Sequence, residues 1–135
     1  MAYFPMFVSL ERKPCLIVGG GRVAARKCRG LLAFGAEVTM VAERFTEETE
    51  GAASGRLQRI QRSFQETDLT MQSWAVVIGA TNSRSVNHTV AVYCQKAGIP
   101  VNIADCQEEC SFFFPAYCTE GWITAGVSTS GRSPA

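Results

Sequence analysis

The sequence has almost no excess of charge. Its 135 residues carry 13 Lys+Arg against 12 Asp+Glu, a formal net charge of +1. That excludes the strong basic bias of a nucleic-acid binder. There is one histidine, His88, so a histidine-based metal site is excluded. No apolar run reaches the ~18 residues needed to cross a bilayer. Met1 to Leu10 is apolar, but it has no basic n-region and contains Pro5, so it reads poorly as a secretory signal. A cytosolic location is therefore expected, with no nucleic acid and no membrane as partners. The six cysteines (Cys15, Cys28, Cys94, Cys106, Cys110 and Cys118) form no CxxC pair. In a reducing compartment they are expected to be free thiols. No internal repeat, low-complexity tract or Ser/His/Asp nucleophile system is present.

What remains is globular. Hydrophobic residues make up 47% of the chain and charged residues 19%, enough for one domain with a core of its own. Pro14 to Val18 is a short apolar run ending in Gly19-Gly20-Gly21, the pattern of a fully buried parallel strand. Arg22 to Phe34 predicts a helix with Val23, Ala24, Lys27, Leu31 and Phe34 on one face, stopped by Gly35. Val38 to Val41 predicts a second buried strand. Thr46 can cap a short helix starting at Glu47, and Leu57 to Ile60 is a candidate third strand. Trp74 to Ala80 reads as a strand, Ser83 to Ala97 as a helix ended by Gly98, and Val101 to Ala104 as a further strand. This alternation predicts an α/β, Rossmann-like parallel sheet with flanking helices. From Ser111 the pattern changes. Phe112 to Ala116 and Trp122 to Ser128 read as two strands with Glu120-Gly121 at the turn.

Gly19-Gly20-Gly21-Arg22-Val23-Ala24 fits G-x-G-x-x-A. Gly19 permits the tight turn, Gly21 lets the backbone approach a pyrophosphate, and small Ala24 allows close helix–strand packing. The phosphates would sit at the positive end of the helix beginning near Arg22. The strand before, the helix after and the second strand within about 30 residues give the motif its context. The acid expected about 20 positions on, to hold the ribose hydroxyls, is Glu43, with Arg44 beside it. A carboxylate there favours NAD, an adjacent arginine tolerates a 2′-phosphate, and NAD is the expectation. Glu43 as a plain exposed loop acid is the other reading. Thr81 and Asn82 follow the Trp74 to Ala80 strand, at the rim where parallel sheets bind ligands. They are candidate cofactor contacts, compatible with Asn82 or Ser83 capping the next helix.

Asp105 closes the Val101 to Ala104 strand on the same rim as the glycine turn. Beside a nicotinamide, such a carboxylate can act as a general base; an ordinary loop or cap acid is the competing reading. His88 reads as a surface residue of its helix. Cys106, Cys110 and Cys118 lie near Asp105, but their spacing matches no zinc or cluster pattern, so buried thiols are expected and no metal.

Six segments in order carry a family resemblance: Tyr3 to Phe7, Cys15 to Lys27, Ala80-Thr81-Asn82 with Val86-Asn87, Val101 to Asp105, Ser111 to Ala116, and Val127 to Pro134. Together they resemble precorrin-2 dehydrogenase, the NAD-dependent domain at the start of siroheme synthase. The resemblance covers nearly the whole chain. It implies oxidation of the tetrapyrrole precorrin-2 to sirohydrochlorin, with a hydride passed to NAD⁺. In some members iron insertion into the product is added. The family's essential aspartate falls on Asp105. The resemblance also implies a homodimer. Residues 1–110 would form the NAD-binding domain and residues 111–135 the start of a dimerisation and active-site segment, which continues into helices in the family. A substrate bearing eight carboxylates needs hydrogen-bond donors. Ser128, Thr129, Ser130, Gly131 and Arg132 form a polar loop suited to it, and Asn102 is expected to hold substrate or orient Asp105. Two other classes fit part of the pattern: an NAD(H)-sensing regulatory module, and a tetrapyrrole carrier without turnover.

Overall fold

The computed structural model describes residues 2–51 and 55–129. In chain order the elements are β1 (Pro14–Val18), α1 (Arg22–Ala33), β2 (Glu37–Ala42), α2 (Glu47–Gly51), β3 (Leu57–Gln61), β4 (Val76–Gly79), α3 (Arg84–Ala97), β5 (Val101–Ile103), β6 (Ala116–Glu120) and β7 (Ile123–Val127). The first five strands form one parallel sheet, ordered β3-β2-β1-β4-β5. Each strand predicted before Ser111 lies in that sheet, including the candidate third.

The run Cys15-Leu16-Ile17-Val18 is wholly buried because both faces of β1 are covered. Successive side chains point to opposite faces. Leu16 and Val18 join Val41, Val77, Val90 and Val101 on the side of α3. Cys15 and Ile17 join Met40, Ile78, Leu31 and Cys28 on the side of α1. Each fully buried Leu, Ile, Val or Met contributes roughly 1.5–3 kcal/mol over leaving it in water. At the sheet edge β3 (Leu-Gln-Arg-Ile-Gln) is only half covered and keeps its polar residues out.

The inward face of α1 differs from the expected one. Ala24, Ala25, Cys28, Leu31 and Leu32 are buried, whereas Val23 and Phe34 are 42% and 38% exposed. Small Ala24, Ala25 and Cys28 let the helix approach the sheet closely, and that turns Val23 and Phe34 outward. Gly35 and Gly98 follow α1 and α3 with φ of +88° and +71°, the left-handed stop that favours glycine. The Ser83 hydroxyl caps α3 by accepting the Val86 N–H at 3.3 Å. At α2 it is the Thr46 carbonyl that accepts the Thr49 N–H at 3.1 Å and its hydroxyl at 2.7 Å.

The first strand expected after Ser111 is displaced. Residues 112–114 follow β5 without forming a ladder. Ser111 N–H donates to the Val101 carbonyl at 2.8 Å, and the Asn102 amide donates to the Phe112 carbonyl at 3.1 Å. Phe112 and Phe114 pack on the α1 side and Phe113 on the α3 side. Pro115 has no N–H to donate, and pairing begins only at Ala116. There β6 and β7 form an antiparallel hairpin, with Gly121 (φ +58°) opening a two-residue turn. Among the described residues no helix is long and apolar enough to cross a membrane.

Candidate functional site

The sheet order reverses direction between β1 and β4. The crevice beyond the carboxyl ends of these two strands is where open α/β sheets bind ligands. The glycine turn leaves β1 at this point. Gly19 has φ +138°, and a Cβ there would stand 2.3 Å from the Ala80 carbonyl oxygen. The glycine is therefore required by the close approach of the β1 and β4 ends. A Cβ on Gly20 would stand 2.1 Å from the Arg44 carbonyl oxygen and 2.9 Å from the Ala42 Cβ. This second constraint lies in the spatial neighbour β2, and the motif alone does not disclose it.

Gly21 is different: a Cβ there would meet nothing within 4 Å. It is the N-cap of α1, extended at φ −85° and ψ −167°, with no side-chain cap and no acid in the first turn. Protein packing does not explain this glycine, whereas the open space at an uncapped helix start fits a phosphate. Ala24 is fully buried beneath it. Arg22 is exposed and pairs with Glu48 at 3.5 Å.

Glu43 is the first residue after β2. Its carboxylate accepts a hydrogen bond from the Ser63 hydroxyl, and its carbonyl accepts from the Gln61 amide at 3.2 Å. Ser63 lies beyond β3, so sequence spacing gave no sign of this partner. Arg44 is exposed beside Glu43.

After β4, Thr81 is engaged from three sides by Asn87. Its N–H and hydroxyl donate to Asn87 Oδ1 at 3.1 and 2.7 Å, and its carbonyl accepts from Asn87 Nδ2 at 3.1 Å. Because Ser83 supplies the helix cap, the Asn82 side chain is left exposed.

Asp105 stands two residues beyond β5, on the same rim. Its Oδ1 accepts from Arg84 Nη1 at 2.8 Å and from Asn87 Nδ2 at 3.0 Å. Arg84 also pairs with Glu109, and Glu109 with His88. For Glu109, burial alone would push the carboxyl up, but the His88 hydrogen bond and the Arg84 charge hold it below its ordinary value. Arg84, His88 and Glu109 form an ion-pair chain that sequence reading did not single out. They are 21 to 25 positions apart where they cross between elements. His88 is exposed, as expected for a surface residue. Cys110 turns inward, accepting from the Ile103 N–H at 3.1 Å, and Cys106 Sγ lies 3.5 Å from a Glu108 carboxylate oxygen. Asn102 is buried with its amide on the Phe112 carbonyl. Ser128 and Thr129 are exposed at the end of the hairpin. Ser130, Gly131 and Arg132 lie outside the described residues.

The chain is 42% identical over 135 residues to siroheme synthase of Methylococcus capsulatus, and 38% identical over 136 residues to siroheme synthase of Nitrosomonas eutropha. Each match covers 99% of this chain and 28% of the relative, so the chain spans little more than a quarter of the length of these relatives. Among solved structures it is similar to SirC, precorrin-2 dehydrogenase, with a TM-score of 0.80 and 30% identity, covering 98% of this chain and 64% of that one. The family model described as "Putative NAD(P)-binding" matches residues 6–116. That span takes in every strand of the parallel sheet and the whole glycine turn, and the chain belongs to this NAD(P)-binding family.

Proposed function

We propose that the chain is an NAD-dependent precorrin-2 dehydrogenase, oxidising precorrin-2 to sirohydrochlorin in siroheme synthesis. The observation that carries this reading is the Asp105 carboxylate. It sits on the rim of the glycine turn and is tied through Asn87 to the loop after β4. The likeness to SirC supports it.

NAD⁺ supplies the hydride acceptor; the chain's own residues bind, orient and move the proton. Gly19, Gly21, Arg22, Val23 and Ala24 form the turn and helix start that receive the pyrophosphate. Glu43, held by Ser63, accepts from the ribose hydroxyls beside Arg44. A 2′-phosphate there would meet a like charge, which favours NAD over NADP. Thr81 and Asn82 line the crevice. With NAD⁺ bound as the acceptor of one hydride, Asp105 would take the one proton that the substrate releases, as general base. Two hydrogens leave precorrin-2 and the electrons balance. Ser128, Thr129, Ser130, Gly131 and Arg132 offer donors to the substrate carboxylates. Asn102 serves this role indirectly, by fastening the segment that leads to them.

Residues 1–110 form the cofactor-binding part, and residues 111–135 begin a segment that pairs two copies into a homodimer. The free thiols of the described cysteines agree with a cytoplasmic location. The test is an anaerobic assay of precorrin-2 with NAD⁺, following sirohydrochlorin by absorbance. Asp105→Ala is expected to lower turnover by about 10²-fold or more while NAD⁺ still binds. Wild-type turnover matched by the variant would remove Asp105 from the reaction.

A further inference from the structure

We propose that Asn87 is the positioning residue of this site: it fixes Asp105 through Oδ1, ties it to the loop after β4, and leaves Oδ2 as the oxygen that exchanges a proton. The proton-exchange part rests on the dehydrogenase reading above.

Asn87 is fully buried. It lies one turn into α3, on the face that continues with Val90, Ala91 and Cys94. An amide on an apolar helix face is costly unless its polar atoms are all partnered. Here they are. Oδ1 takes the Thr81 N–H and hydroxyl, and Nδ2 gives one hydrogen to the Thr81 carbonyl and one to Asp105 Oδ1. This set of partners requires an acceptor and two donors on one short side chain. Aspartate lacks the donors, leucine lacks both kinds, and glutamine is a methylene too long. The partners also fix which end of the amide is oxygen.

Two donors converge on Oδ1 of Asp105, and among the described residues Oδ2 receives no hydrogen bond. The charged and titratable groups around the carboxylate are Arg84 and, through it, the Glu109 carboxylate and the His88 ring, with the Cys106 thiol next in the chain. Arg84 is a half-exposed, long side chain, whereas Asn87 is locked on three sides. Orientation is therefore set by Asn87, and Arg84 supplies charge. A consequence is that Thr81 and Asp105, which serve cofactor and proton, share a single rigid side chain.

The first arm of the test reads the contact without turnover. In ¹⁵N-labelled protein, both Asn87 side-chain amide hydrogens are expected to exchange slowly. In Asp105→Ala one of them should exchange at least about tenfold faster, while the one on Thr81 stays protected. The second arm is Asn87→Asp, which keeps the acceptor for the Thr81 N–H and hydroxyl but removes both donors, the one to the Thr81 carbonyl and the one to Asp105. NAD⁺ Kd and substrate KM are expected within about threefold of wild type, with kcat down about 10²-fold. A merely structural asparagine would lower Tm and leave kcat in place. Unchanged exchange in Asp105→Ala, or unchanged kcat in Asn87→Asp, overturns the proposal. A wild-type chain that binds NAD⁺ without turning precorrin-2 over overturns the dehydrogenase reading instead, and the exchange arm still decides whether Asn87 holds Asp105.

Discussion

Cys15, Cys28 and Cys94 sit in the apolar layers on either side of the sheet, and burial pushes their thiols up to about 11, about 11 and about 12. The thiolate is the nucleophile, so these three should resist alkylation in the native protein. Against the expectation of buried thiols, Cys118 is exposed on the hairpin and Cys106 partly so; only Cys110 of that group is buried. Mass spectrometry after brief iodoacetamide treatment at neutral pH should find label on Cys15, Cys28 and Cys94 only after unfolding. Asp68 is the opposite case. Burial alone would raise its carboxyl, but bonds from Arg62 at 2.6 and 2.9 Å, the Gln65 N–H and the Arg62 charge hold it below the ordinary value of 3.8. A carboxyl lowered in the folded state contributes stability that is complete above its unfolded pKa. That stability is lost as pH falls through the folded one. Asp68→Ala should therefore destabilise by about 2 kcal/mol at pH 7, with the gap from wild type closing as pH falls below the ordinary value of 3.8. Urea unfolding at a series of pH values reads this directly.

At the scale of the element, the glycine turn separates folding from binding. Gly19 and Gly20 face backbone and side-chain atoms of β4 and β2, while Gly21 faces open space. Gly19→Ala should cost on the order of 3 kcal/mol or more, through its positive φ and the clash with Ala80. Gly21→Ala should change stability by less than about 0.5 kcal/mol and yet weaken NAD⁺ binding at least tenfold, because its Cβ enters the phosphate space. Calorimetric titration beside urea unfolding distinguishes the two, and a Gly21→Ala chain that binds NAD⁺ normally would refute the phosphate assignment. The same turn marks how far sequence reading reached. The spacing of Gly19, Gly21 and Ala24 is a local pattern, and so are the apolar strands and Asp105 at a strand end. The need for Gly20 arises from Arg44 and Ala42, and the grip on Glu43 from Ser63. These are contacts between elements, which no local pattern encodes. The inward face of α1 departs from its apolar pattern for a related reason. Alanines and a cysteine pack inward where the sheet comes close, so size rather than hydrophobicity chose the side.

At the scale of the whole molecule, several exposed apolar side chains gather in the hairpin. In the hairpin, Tyr117 meets Phe34 edge-on at 5.1 Å. Pairing of Ile123 with Glu120 and Val127 with Ala116 puts Ile123 and Val127 on the other face. They are 71% and 70% exposed, and Trp122 at the turn is fully exposed. Apolar residues gathered this way mark an interaction surface, consistent with the proposed homodimer. Ile123→Asp should shift the protein from dimer to monomer in sedimentation velocity, with its circular dichroism unchanged. A wild-type chain that is monomeric at the same concentration would argue against pairing through this face. Sequence reading found the two strands but started the first too early, because the Phe112 to Phe114 run is as apolar as a strand. Its side chains are spent on covering both faces of the sheet edge, and Pro115 delays the ladder.

The pairing of β1 with β4 has a consequence during synthesis. A ribosome makes β1, β2 and β3 first, and these can assemble as soon as they emerge. The backbone edge of β1 that will receive Val76–Gly79 then stays bare while the chain between β3 and β4 is made, for roughly one to three seconds at ~5–20 residues per second. Gly19 has no Ala80 to meet until that moment. The nucleotide crevice therefore closes only once β4 has been made, and a nascent chain stalled before β4 presents an open apolar strand edge, the kind of surface on which chaperones and misassembly compete.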